Sequence, residues 1–173
     1  MSQTVDPSLQ VSGPPAASWA DSAEQRVLDE ALRLAPRAGW DAGMVAKALA
    51  AAGLSDAEGQ LLLPEGARDL AALLSRRHDA AALQRLNGLD VAALKIRQRI
   101  HEGVVARLDA AQEHADVLRP LAAFLAFPTN LALALRLTWE SADIIWRWAG
   151  DTATDENHYS KRAILRSEEH TSE

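Results

Sequence analysis

The 173-residue chain contains no cysteine, so disulfide frameworks, thiolate zinc sites and cysteine nucleophiles are excluded. Lysine is scarce as well. Three lysines stand beside 15 arginines, and these 18 basic residues face 24 acidic ones, for a formal net charge of -6. An acidic balance argues against a general nucleic-acid binder, because phosphate neutralisation carries most of that affinity. Valine, isoleucine and threonine are sparse, which disfavours strands. No apolar run reaches the roughly 18 residues of a membrane-spanning helix. Neither a glycine-rich phosphate loop nor a Gly-x-Ser-x-Gly elbow is present. The five histidines, His78, His101, His114, His158 and His170, form no His-x-x-x-His pair, and no Glu-x-x-His pair supports a di-iron site. The expectation is a non-enzyme with no catalytic residues, no metal site and no cofactor.

What remains is rich in helix formers. Alanine (35) and leucine (25) dominate, and 48% of residues are hydrophobic, enough for a core. Residues 1–20 carry no arginine or lysine and include Ser12-Gly13-Pro14-Pro15, so they read as a flexible leader rather than a transit or signal peptide. Residues 21–165 read as one all-α domain of about eight helices. Ser22-Ala23-Glu24-Gln25 and Ser55-Asp56-Ala57-Glu58 fit capping boxes that open the first and third helices, and Asp41 can cap the second. A long helix is expected over about Ala67–Leu86, and another from Asp90. In the latter, Ile96, Ile100, Val104 and Leu108 mark an apolar face, while Lys95, Arg97, Arg99 and Arg107 are expected in solvent. A helix over Glu113–Leu125 contains Pro120, and Phe127-Pro128-Thr129-Asn130 breaks it.

Leu131, Leu133, Leu135 and Leu137 alternate as in a strand, yet alanine and leucine without β-branching before Thr138 favour a helix running to Gly150. Apolar nearly all round, it should be buried or line a cavity. It carries three of the five tryptophans. Trp139 and Trp146, seven apart, share a face, and Trp148 points elsewhere. A final helix is expected near Thr154-Asp155.

Two resemblances follow. Val27 to Leu34, Ala38-Gly39-Trp40 and Ala48 to Ser55 resemble the helix-turn-helix of TetR-type regulators, which gives transcriptional regulation as the alternative reading. The region where such a domain reads DNA has no arginine or lysine from Ser55 to Leu63, and residues 22–63 hold four basic and six acidic side chains, net -2. More specific is the series Asp143-Ile144-Ile145-Trp146, Ala149-Gly150-Asp151, Thr154-Asp155 and Tyr159-Ser160-Lys161-Arg162-Ala163. It resembles the signature of the Coq-nine family of ubiquinone-biosynthesis accessory proteins. Leu94-Lys95-Ile96-Arg97, Arg107-Leu108 and Phe127-Pro128-Thr129-Asn130 fit upstream, in family order. Glu156 and His158 depart from the family, which commonly has aromatics there.

The resemblance implies a TetR-like helical bundle without DNA binding. It implies a non-catalytic protein that holds an isoprenoid quinone lipid in an apolar cavity and presents it to the Coq-seven di-iron hydroxylase. Phe124, Leu133, Leu137 and Trp146 are the candidate lipid-binding residues. Ile145, Asp155, His158, Tyr159 and Arg162 map onto the partner-binding surface. It further implies a homodimer when full length, peripheral contact with the membrane surface, and a bacterial cytoplasmic location beside the inner membrane, the eukaryotic relatives being mitochondrial.

Arg166-Ser167-Glu168-Glu169-His170-Thr171-Ser172-Glu173 matches the translation of a common sequencing adapter, AGATCGGAAGAGCACACGTCTGAA. Residues 166–173 are therefore expected to be foreign. The natural chain would be truncated after Leu165, with 17 basic and 21 acidic residues and a charge of -4.

Overall fold

A computed structural model describes residues 19–150. Among them are seven α-helices: α1 (Trp19–Ala38), α2 (Ala42–Ala51), α3 (Asp56–Leu62), α4 (Ala67–Leu86), α5 (Ile96–Gln112), α6 (Ala115–Leu125) and α7 (Leu131–Gly150). Short 3₁₀ turns, Val91–Ala93 and Pro128–Asn130, precede α5 and α7. The described residues contain no strand, so the all-α expectation holds. The eighth expected helix, near Thr154, lies outside the described residues.

Local chemistry accounts for most boundaries. The Asp41 carboxylate accepts from the Met44 amide at 2.8 Å and starts α2. At Ser55 both halves of the capping box form, and the hydrogen bonds from Ser55 hold the Glu58 carboxyl below its usual pKa. Gly39 and Gly53, at φ 85° and 74°, end the first two helices in a backbone region that suits glycine. The strand-like leucines of α7 are helical, as the residue types required.

Two expectations at helix starts are corrected. Helix α1 is already helical at Trp19, so Ser22 lies inside it rather than capping it. Asp90 caps only the first 3₁₀ turn, through the Ala92 amide, and α5 begins at Ile96.

Helix α5 is also turned over relative to the expected orientation. Its buried face is Arg99, Gly103, Ala106 and Ala110, whereas Ile96, Val104 and Leu108 are exposed. Small residues allow α5 to approach α4 and α7 closely. At Gly103 an added Cβ would stand 2.5 Å from Ile145 Cγ2, so a larger side chain there would force the Ile145 side chain to shift. Arg99 is only 7% exposed. Its guanidinium donates to the carbonyls of Leu94 (2.8 Å) and Ala149 (3.2 Å), placing a cation at the negative end of α7.

The main core joins α1, α2, α4, α6 and α7 through residues such as Leu28, Met44, Leu70, Leu74, Val117 and Leu137. Trp40 is inside it, and its indole N–H donates to the Ala67 carbonyl at 2.9 Å. A smaller cluster of Ala82, Leu86 and Ala106 is covered by Leu83 and Trp148. Arg68 donates to the Asn130 side chain (2.9 Å) and the Thr129 carbonyl (2.8 Å), fixing the turn before α7 against α4. Among the described residues no single helix is long and apolar enough to cross a membrane.

Candidate functional site

Helix α4 repeats apolar residues every four positions: Leu70, Leu74, Ala82 and Leu86 are buried. His78 falls on that same stripe and is buried, with Asp79 beside it. Buried polar groups need partners, and the facing helices supply them. Asp79 Oδ1 accepts from Arg107 Nε on α5 at 2.6 Å and from Ser141 Oγ on α7 at 2.7 Å. Arg107 Nη2 also donates to Ser75 Oγ at 3.4 Å. The carboxylate thus ties three helices together. Its side chain is 6% exposed and that of Arg107 20%.

His78 Nε2 lies 3.0 Å from His114 Nδ1, at the start of α6. Burial, with the nearby Arg107 cation, His114 and Arg77 adding to it, lowers the His78 pKa to about 4. His78 is therefore neutral near pH 7, and a single proton bridges the two rings.

Ser75, His78, Arg107 and Ser141 line a cleft of about 330 Å3 between α4, α5, α6 and α7. Leu108, Leu121, Leu125, Ala134 and Leu137 line it as well. On α7, Ala134, Leu137, Thr138 and Ser141 follow helical spacing and present one continuous stripe to the cleft. A second stripe on α7, Leu135, Trp139, Ala142 and Trp146, faces outward. Trp139 is 76% and Trp146 66% exposed, and with Ala142 and Asp143 they border a shallow groove of about 360 Å3. The shared face expected for Trp139 and Trp146 is therefore present, and Trp148 does point elsewhere, into the small cluster.

The residues singled out in the sequence occupy different places. Leu133 and Leu137 are buried in the main core, and Phe124 is half-buried against it. Leu137 alone of the four candidate lipid-binding residues lines the cleft; Trp146 lies on the outer face of α7. Ile145 is half-buried and rests on Gly103. Asp155, His158, Tyr159 and Arg162 lie outside the described residues. Arg107, expected in solvent, is instead part of the cleft, and Ser75, His78, Asp79 and Ser141 were not anticipated. The legible signal was His78 in phase with the α4 leucines. Among the described residues no three His, Asp or Glu side chains are grouped to hold a metal ion.

Comparison with known proteins places α7 at the centre. The family model described as COQ9 matches residues 131–167, which contain all of α7. Ubiquinone biosynthesis protein COQ9, mitochondrial, of Rattus norvegicus is 28% identical over 156 residues, covering 87% of this chain and 50% of that protein. The Homo sapiens protein of the same name is 27% identical over 156 residues, covering 87% and 49%. COQ9-B of Xenopus laevis is 27% identical over 153 residues, covering 82% and 50%. The chain spans about half the length of the curated relatives it matches. With the family model matched on its last described helix and these relatives aligned along most of its length, the chain is similar to the COQ9 proteins.

Proposed function

We propose that this chain serves ubiquinone biosynthesis as a non-catalytic, lipid-binding accessory protein. It holds an isoprenoid quinone intermediate and presents it to the demethoxyubiquinone hydroxylase, the Coq-seven di-iron enzyme. The observation that carries this reading is α7. The helix matched by the family model forms one wall of the cleft and also exposes Leu135, Trp139 and Trp146. An exposed apolar stripe of that size suits an apolar ligand, a membrane surface or a partner protein. Buried apolar area contributes about 25 cal/mol per Å², so a prenyl tail can supply affinity with few polar contacts.

In this reading Phe124, Leu133, Leu137 and Trp146 belong to the lipid-contacting region. Ile145, Asp155, His158, Tyr159 and Arg162 form the hydroxylase-facing surface. The protein acts as a homodimer at the inner face of a bacterial membrane; the relatives are named as mitochondrial proteins. The acidic α3, with Asp56 and Glu58 and no basic residue, does not favour the DNA-regulator alternative.

The test is mass spectrometry of lipids that co-purify with the chain from a quinone-producing bacterium. Prenylated quinone precursors should be enriched, and Ala134→Phe, which fills the cleft, should reduce them. Recovery of no isoprenoid quinone above a control protein, or salt-sensitive binding to one operator DNA, would overturn the proposal.

A further inference from the structure

Helix α6 starts without a side-chain cap. His114 stands there at φ -121° and ψ 38°, outside the helical region, and its ring bonds no amide of α6. The ring reaches α4 instead, with Nδ1 3.0 Å from His78 Nε2 and ring centroids 5.2 Å apart. Two turns along the same face of α4, Arg85 pairs with Glu113 and donates to the Ala106 carbonyl at 3.2 Å. The α5–α6 joint is thus tied to α4 at two points. The Arg85–Glu113 pair is open to water, and such pairs contribute little. The His78 tie is made from the buried side of the joint, at a ring only 3% exposed.

We propose that the His78–His114 pair is a proton-operated latch: one proton between the facing nitrogens pins the α5–α6 joint to α4, and a second releases the joint and the first turn of α6, opening the end of the cleft beside His78. This goes beyond the proposed function and stands whatever the cleft takes.

The pair has room for one proton. A neutral imidazole offers one N–H and one lone pair, so one ring donates and the other accepts. With both rings charged, two N–H groups face each other at a distance fit only for a hydrogen bond. The surroundings do not offset that charge. On α4, Arg77 is paired with Asp29 and bonded to Gln25 of α1. Asp79 is engaged by Arg107 of α5 and Ser141 of α7. Glu113 is held by Arg85, and Asp116 of α6 is exposed. The cleft-lining stripe of α7 carries no charge. Burial first, then Arg107, His114 and Arg77, all lower the His78 pKa, to about 4.

A ring released into water returns towards about 6.5. The open joint therefore binds the proton first as pH falls, and it gains population at the expense of the closed one. At pH 5 these values weaken the latch roughly tenfold, with allowance for water at the cleft mouth. Leu121, Phe124 and Leu125 still pack the rest of α6 on the core, which keeps the release local.

Hydrogen exchange followed by mass spectrometry tests this on the whole chain between pH 7.5 and 5, each rate divided by that of an unstructured peptide at the same pH. Protection of residues 113–119 should fall roughly tenfold over that range. A local opening exposes little surface, so about 1 M urea should leave those rates unchanged, whereas global unfolding would be speeded at least about fivefold. His78→Gln cannot take a charge and should abolish the pH response. His114→Gln gives a charged His78 an oxygen to face and should reduce it. Circular dichroism checks that both variants are folded. Constant protection at 113–119, a response that urea accelerates like global unfolding, or a full response in either variant overturns the latch. Should a variant not fold, ring-proton resonances of the native chain decide: His78 must take its proton over the pH range in which exchange rises, and titration outside that range overturns the proposal.

Discussion

Replacing Asp79 with leucine should remove a large share of the stability of the domain. The carboxylate is 6% exposed and accepts from both Arg107 and Ser141. Leucine would leave the Arg107 cation beside apolar surface without its partner, and strand the Ser141 hydroxyl. Breaking a buried ion pair from one side costs about 3–5 kcal/mol. Arg107 is 20% exposed and retains some water, so the lower part of that range, about 3 kcal/mol, is expected. Against a domain stability of about 5–15 kcal/mol, the variant should still fold. Asp79→Asn keeps an oxygen acceptor of the same shape and loses only the charge, so about 1–2 kcal/mol is expected. Removing both partners, as in Asp79→Leu/Arg107→Met, leaves no orphaned charge. It should be more stable than the sum of the single losses by at least about 1 kcal/mol. Urea unfolding followed by tryptophan fluorescence measures the native chain, these three variants and the single variant Arg107→Met, since Trp40 and Trp148 pack in the two clusters. A loss below about 1 kcal/mol for Asp79→Leu, or additive single losses, would refute the view that this pair is a buried tie between three helices.

Acid should weaken the fold through His78. Its folded pKa, about 4, lies below the unfolded value near 6.5, so the unfolded chain binds the proton first as pH falls. Stability is full above about 6.5 and declines towards pH 4, by about 1–2 kcal/mol with allowance for water at the cleft mouth. Thermal melts at pH 7.5 and 5 should show a smaller acid shift in His78→Gln than in the native chain; an identical shift would remove His78 as the cause. At Gly103, alanine gains about 1 kcal/mol of helix propensity but overpacks against Ile145 by about 1–3 kcal/mol. Gly103→Ala should therefore be neutral to destabilising in the native background and stabilising in an Ile145→Ala background. Denaturant unfolding of the double-mutant cycle decides this, and equal effects in both backgrounds would show that the two residues do not touch.

The sequence by itself determined the helices. Composition disfavoured strands, the Asp41 and Ser55 caps set two starts, and a helix over about Ala67–Leu86 was legible because Pro64, Gly66 and Asn87-Gly88 bracket it. Those signals are local, carried by a few neighbouring residues and their backbone amides. The family resemblance of the α7 region was also legible, because it rests on residue order alone. Which side of a helix faces inward is a different question. In α5 the regular Ile96, Val104 and Leu108 spacing suggested the core face, yet the fold buries Arg99, Gly103 and Ala106. The reason is steric and electrostatic. Close approach to Ile145 needs a glycine, Arg99 donates to the carbonyls of Leu94 and Ala149, and Arg107 donates to Asp79 and Ser75. No window of α5 contains the residues from α4 and α7 that supply those partners. Periodicity ranks side chains by their own hydrophobicity, whereas burial of a charge depends on a partner 28 or 50 residues away. For the same reason the cleft, assembled from four helices, was decided only by the tertiary structure.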